Sequence, residues 1–164
     1  MAESIKKDIP EGFTLSMAFM DCLPVLFFSI SAGILSSRFD SVLFLTGAVI
    51  VIIAGALKVC WKFILALLKK DISFFNKQMR YLMPLGFLLM ISGLIINHDK
   101  WSLSIVIKHI LSFPSWLFFL TGIAGMICMS YYAKHLDGRN AKNNWKEQGV
   151  NALAQLCFMI GILL

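Results

Sequence analysis

The chain has 164 residues, of which 59% are hydrophobic and only 15% charged, with a mean hydropathy of +0.79 and a formal net charge of +6. Ordinary soluble domains are about 45–50% apolar and about 25% charged, and a fold of this length has too much surface to hide the excess. Composition therefore excludes a water-soluble globule, and the positive charge reports membrane topology rather than a nucleic-acid partner.

A helix needs roughly 20 mainly apolar residues to cross a hydrocarbon core about 30 Å thick. The N-terminal tail carries Lys6, Lys7, Asp8, Pro10 and Glu11, and the apolar run after it is too long for a signal-peptide core and lacks a cleavage pattern. That run, 13–36, is expected to stay as the first span, followed by spans at 42–68 and 79–97. The next segment, WSLSIVIKHILSF at 101–113, is too short to cross and is interrupted by Lys108 and His109, which suits an interfacial or re-entrant helix. A fourth span follows at 114–136. The polar stretch DGRNAKNNWKEQ at 137–148 reads as a surface turn, and the short fifth span, 149–164, has an alternative start near Ala141. The expected fold is all-α: one polytopic membrane bundle, residues 1–164, of five transmembrane helices and an interfacial helix.

The basic residues sort by side. Lys6, Lys7, Lys58, Lys62, Lys69, Lys70, Lys77, Arg80, Lys134, Arg139, Lys142 and Lys146 fall toward one side, and only Arg38, Lys100 and Lys108 toward the other. By the positive-inside rule the N-terminus is cytoplasmic and the C-terminus outside, in a cytoplasmic (inner) membrane. Trp61, Tyr81, Trp101, Trp116, Tyr131, Tyr132 and Trp145 lie near the span boundaries, where amphipathic rings are favoured.

Two stretches echo each other. Pro24, Phe27 and Gly33 match Pro84, Phe87 and Gly93 at a constant offset, and the tetrapeptide ending in Gly47 recurs at Gly122. The expected arrangement is thus two similar hairpins plus one extra helix, an organisation known among transporters, with coincidence in a Leu- and Phe-rich chain as the competing explanation.

Asp21 is the one acidic residue well inside an expected span, and an intramembrane carboxylate needs a partner. It lies 18 residues before Phe39, near the centre of the first turn, and Lys58 lies 19 after it, so an Asp21 to Lys58 ion pair is expected. Lys62 shares the face of Lys58, and Arg80 enters the third span nearby. Asp21, Lys58, Lys62 and Arg80 form the candidate ligand or ion site, and their surplus of cations favours an anionic group, such as a lipid phosphate. A purely structural pair is the competing reading. Asn151 and Gln155, four residues apart in the last span, are secondary polar positions, also explained by helix packing. Met17, Met20, Met83 and Met90 with Phe27 and Phe87 would make an adaptable apolar face or ordinary core.

Cys22, Cys60, Cys128 and Cys157 form no close pair and read as small core residues. His98, His109 and His135 divide between the two sides, so no metal site is expected, and no cofactor motif is present. Hydrolase and phosphoryl-transfer motifs are also missing. No family resemblance emerges. Three functions are consistent with the sequence: binding or translocation of a small solute, ion or lipid through an inward-facing polar site; a non-catalytic structural or regulatory subunit of a membrane complex; and an enzyme of lipid metabolism, the least supported. The expected partners are membrane lipids, with a homo-oligomer or a partner membrane subunit.

Overall fold

The computed structural model describes residues 14–137 and 140–164. Lys6, Lys7 and Arg139, counted above for orientation, lie outside them, as does the first residue of the expected first span. Among the described residues every regular element is helical. The order is α1 (Leu15–Phe39), α2 (Val42–Leu68), α3 (Ser73–Lys77), α4 (Met79–Ile96), a 3₁₀ turn (His98–Lys100), α5 (Leu103–Leu111), α6 (Ser115–His135) and α7 (Ala141–Leu163).

Local chemistry sets the helix ends. Thr14 caps α1, its hydroxyl accepting from the Met17 amide at 3.4 Å. The α1–α2 turn consists of Asp40, in the left-handed conformation at φ 44°, and Ser41, which caps α2 by accepting from the Phe44 amide at 3.3 Å. The Ser41 hydroxyl also donates to Asn97 Oδ1 at 2.7 Å, tying this turn to the end of α4. Lys100 adds an exposed ion pair to Asp40 at 3.1 Å. At the other end of the bundle, buried Gln78 donates to the Ala54 carbonyl of α2 at 2.9 Å and anchors the start of α4.

Four helical segments, Leu15–Phe39, Val42–Leu68, Ser73–Ile96 and Ser115–Tyr132, are long and apolar enough to cross a membrane. Their packing agrees with a lipid environment. Small residues dominate the interior, among them Ala18, Ala32, Ala48, Ala54, Ala152 and Ala154, while Phe19, Leu26, Ile53, Leu88, Ile95 and Ile127 face outward. Lipid is as apolar as leucine, so close backbone approach rather than hydrophobic burial holds such helices together. Gly47 and Gly86 provide that approach between α2 and α4: a Cβ on Gly86 would sit 2.5 Å from a Val51 methyl.

The main packings run in the order α4, α2, α1, α7, α6. This corrects the expectation of two similar hairpins, because α4 packs on α2 and α6 on α7 rather than on each other; α5 and the loops beside it leave both free to find other neighbours. The echoed glycines separate accordingly. Gly47 and Gly122 each press against the following long helix, α4 and α7, whereas Gly93 is tightly packed and Gly33 faces open space.

The last helix begins at Ala141, the earlier of its two expected starts. Residues expected as a surface turn up to Gln148 form the first two turns of α7 from Ala141, with Asn144 and Gln148 buried. The stretch reads as a loop because its polar residues are numerous, yet they are spaced to share one helical face. α7 is 23 residues long but falls short in apolarity of the four spans.

Candidate functional site

At the lysine-rich end of the bundle, α1, α2 and α7 meet at a buried charge. Asp21 is 4% exposed and Lys62 2%, with Lys62 Nζ 2.7 Å from Asp21 Oδ2. The same ammonium donates to Asn144 Oδ1 of α7 at 2.8 Å. One lysine therefore links three helices. Pro24, three residues past Asp21, has no amide hydrogen to return to the carbonyl four residues back, which keeps this stretch of α1 polar.

The expected partner Lys58 is thus replaced by Lys62. Residues 58 and 62 stand one turn apart on one face of α2, so both reach the Asp21 level, and the Asn144 carbonyl oxygen completes the environment at Lys62 only. Lys58 instead lines a cavity beside the pair and makes no ion pair or hydrogen bond with a described residue. Arg80 is exposed in the first turn of α4 and lines no part of this cavity.

The cavity holds about 180 Å³. Its polar side consists of Asp21, Lys58 and the α7 amides Gln148, Asn151 and Gln155; Phe28, Met83, Phe87 and Met126 contribute to its apolar side. Of the expected methionine and aromatic face, Met83 and Phe87 belong here, whereas Met17 packs on Leu65 in the core. Asn144, Gln148, Asn151 and Gln155 follow a 4-3-4 spacing that puts all four on one face of α7. That spacing would have found Asn144 and Gln148, which the reading of a surface turn concealed.

The polar groups at the cavity are largely uncommitted. The side-chain amides of Gln148, Asn151 and Gln155 bond to no described residue, and Asp21 Oδ1, enclosed by protein, accepts no hydrogen bond from one. Gln148 is only 3% exposed. Unpartnered polar groups in such surroundings are costly, so their convergence on one cavity suits it to a ligand with hydrogen-bonding groups of its own.

A larger cavity of about 760 Å³ lies at the opposite end of the bundle, between the far ends of α1, α2, α4 and α7 and the helices α5 and α6. Leu35, Met90, Phe119 and Trp101 contribute to its apolar lining, and Arg38, Asp99, Lys100 and His109 supply polar groups. Phe28 and Phe87 meet edge to face, 6.2 Å between centroids, on the side of the smaller cavity toward it.

The histidines do not converge. His98 is exposed, His109 Nε2 lies 3.0 Å from the Gly161 carbonyl, and His135 stacks on Tyr131. Among the described residues no cluster of three metal-ligating side chains occurs, and the four cysteines are free thiols. No family model matches the chain, and no curated protein or solved structure matches it either.

Proposed function

We propose that this chain is a five-span protein of a cytoplasmic membrane, N-terminus inside, that binds a small organic solute in the cavity between α1, α2, α4 and α7. Twelve of fifteen basic residues on one side of the spans support the orientation. α7 serves as the fifth span because its polar face turns toward α1 and the cavity rather than toward lipid, which explains its modest apolarity. In this topology α5 lies at the outer membrane interface and the cavity opens toward the cytoplasm.

The observation that carries the binding reading is the set of polar groups uncommitted among the described residues, Lys58, Gln148, Asn151 and Gln155, on one cavity with an apolar opposite wall. A structural ion pair alone accounts for Asp21 and Lys62 and leaves the other polar groups without a role. Lys58, a cation on the cavity wall without an ion-pair partner among the described residues, favours a ligand that carries negative charge.

The second cavity, at the opposite end of the bundle, favours translocation over storage: a solute released past Phe28 and Phe87 would enter a chamber at the outer end. The test of binding is native mass spectrometry of protein purified in mild detergent. A discrete small-molecule adduct on the wild type, reduced in Lys58→Met, is the expected result. A bare wild-type mass together with a stoichiometric second polypeptide would instead make the chain a structural subunit.

A further inference from the structure

We infer that the smaller cavity takes a single-chain lipid anion, a fatty-acid carboxylate whose head lies in the cavity while its hydrocarbon chain leaves sideways into the bilayer between α4 and α6. This rests on the binding reading above and specifies its ligand. The polar floor of the cavity comes from α1, α2 and α7. Lys58 stands there without an ion-pair partner among the described residues, whereas Lys62 has two acids of its own, Asp21 in the ion pair and Glu147 within electrostatic reach. An anion at Lys58 therefore meets a cation that the described protein groups leave open. Gln148, only 3% exposed, lines the same floor with its amide bonded to no described residue, and Asn151 and Gln155 stand beside it on α7. A carboxylate accepts from an ammonium and from amide N–H groups together.

The route for the chain follows from the order of packing. The bundle runs α4, α2, α1, α7, α6, so α4 and α6 are the two ends of the row, each with its main packing elsewhere, yet both reach this cavity. Met83 and Phe87 of α4 and Met126 of α6 line it on that side. Phe87 is 44% and Met126 40% exposed although both line the cavity, whereas Asp21 and Gln148 of the floor are buried. Beside its cytoplasmic mouth the cavity thus has an apolar flank that meets lipid, since α4 and α6 are long and apolar enough to span. The volume sets how much of the ligand stays inside. A dry cavity of about 150 Å³ accommodates benzene. The 180 Å³ here therefore holds about seven or eight non-hydrogen atoms, a carboxylate with about five carbons beyond it. The rest of a longer chain lies between α4 and α6, where methionine adapts to its shape. A phosphoglycerol head, with about ten such atoms, exceeds that volume.

The test uses the whole protein in nanodiscs of zwitterionic phosphatidylcholine, where no detergent chain competes. Dodecanoate, dodecanol, dodecyltrimethylammonium, lauroyl lysophosphatidate and butanoate are added in turn, and binding is read by native mass spectrometry and by ligand-dependent thermal stabilisation. Lys58→Met and Lys58→Arg are measured beside the wild type at the same lipid load, so that differences report the site and not the bilayer. Dodecanoate forms a one-to-one adduct with the wild type. Its affinity falls at least about tenfold in Lys58→Met, the size of a lost hydrogen bond to a charged group, and is largely kept in Lys58→Arg. The dodecanol comparison decides the same point on the wild type alone. A dodecanoate with a diazirine at its far end labels α4 and α6, and unlabelled dodecanoate competes that labelling away. Equal stabilisation by dodecanol or dodecyltrimethylammonium, or unchanged binding in Lys58→Met, overturns the carboxylate contact. Tighter binding of the lysophosphatidate overturns the carboxylate in favour of a lipid phosphate. If butanoate binds as tightly as dodecanoate, or the competable label falls on α1, α2 or α7 instead, the sideways chain is overturned while the binding reading stands. If no probe binds and the purified protein carries no small-molecule adduct, both this assignment and the binding reading fail.

Discussion

Replacing Lys62 by methionine would strand the Asp21 carboxylate. At 2.7 Å the pair attracts by roughly 6 kcal/mol at an effective dielectric of about 20, much of it offset by the desolvation of both ions. Removing one partner alone leaves an uncompensated buried charge and destabilises by about 3–5 kcal/mol. For a chain of this length that corresponds to a fall in melting temperature of roughly 6–20 °C. Asp21→Asn should cost less, because the Asn144 oxygen still receives Lys62, and the double variant should regain much of the loss. The assay is thermal unfolding in a single detergent, followed by intrinsic tryptophan fluorescence, with Lys58→Met measured in parallel. Equal losses for Lys58→Met and Lys62→Met would refute the assignment of the partner, and a double variant no more stable than Lys62→Met would refute the coupling itself.

Asn151→Leu with Gln155→Leu should leave the melting temperature unchanged or raise it, since these amides bond to no described residue, while abolishing any bound adduct seen by native mass spectrometry. Gly86→Val places a side chain where a Cβ already meets Val51 at 2.5 Å, and should destabilise by about 1–3 kcal/mol through overpacking, read in the same thermal assay. If the two cavities form one path, Phe28→Ala with Phe87→Ala should raise the leak of a permanent small anion, methanesulfonate, severalfold from loaded proteoliposomes. An unchanged leak with intact folding would count against translocation.

The sequence made the long helices and Asp21 conspicuous through different physical signals. Uninterrupted apolar length suffices for α1, α2, α4 and α6, since lipid imposes one strong requirement on the backbone. An acid inside such a run stands out because it is rare there. The partner was beyond depth counting: the α1–α2 turn is centred between Asp40 and Ser41, which puts the mirror of Asp21 near Cys60, midway between Lys58 and Lys62. The choice between those lysines is made by Asn144, 82 positions from Lys62, and no local pattern carries that contact. The buried polar residues in the first turns of α7 and the neighbours of α4 were obscured for a related reason. Polar residues directed into a protein interior resemble loop residues until the facing helix is known, and glycine contacts between α2 and α4 are not announced by sequence order.

The polar face of α7 also bears on how the protein is made. Four amides on one stripe, with Lys142, Lys146 and Glu147 in its opening turns, make this helix a poor candidate for entering the bilayer unaided. Its partners α1 and α2 precede it in the chain, so Lys62 is in place to receive Asn144 when α7 emerges. Insertion of α7 then becomes conditional on an assembled first hairpin, and a lesion at Asp21 or Lys62 would surface as a topology defect in the C-terminal helix as well as a loss of stability.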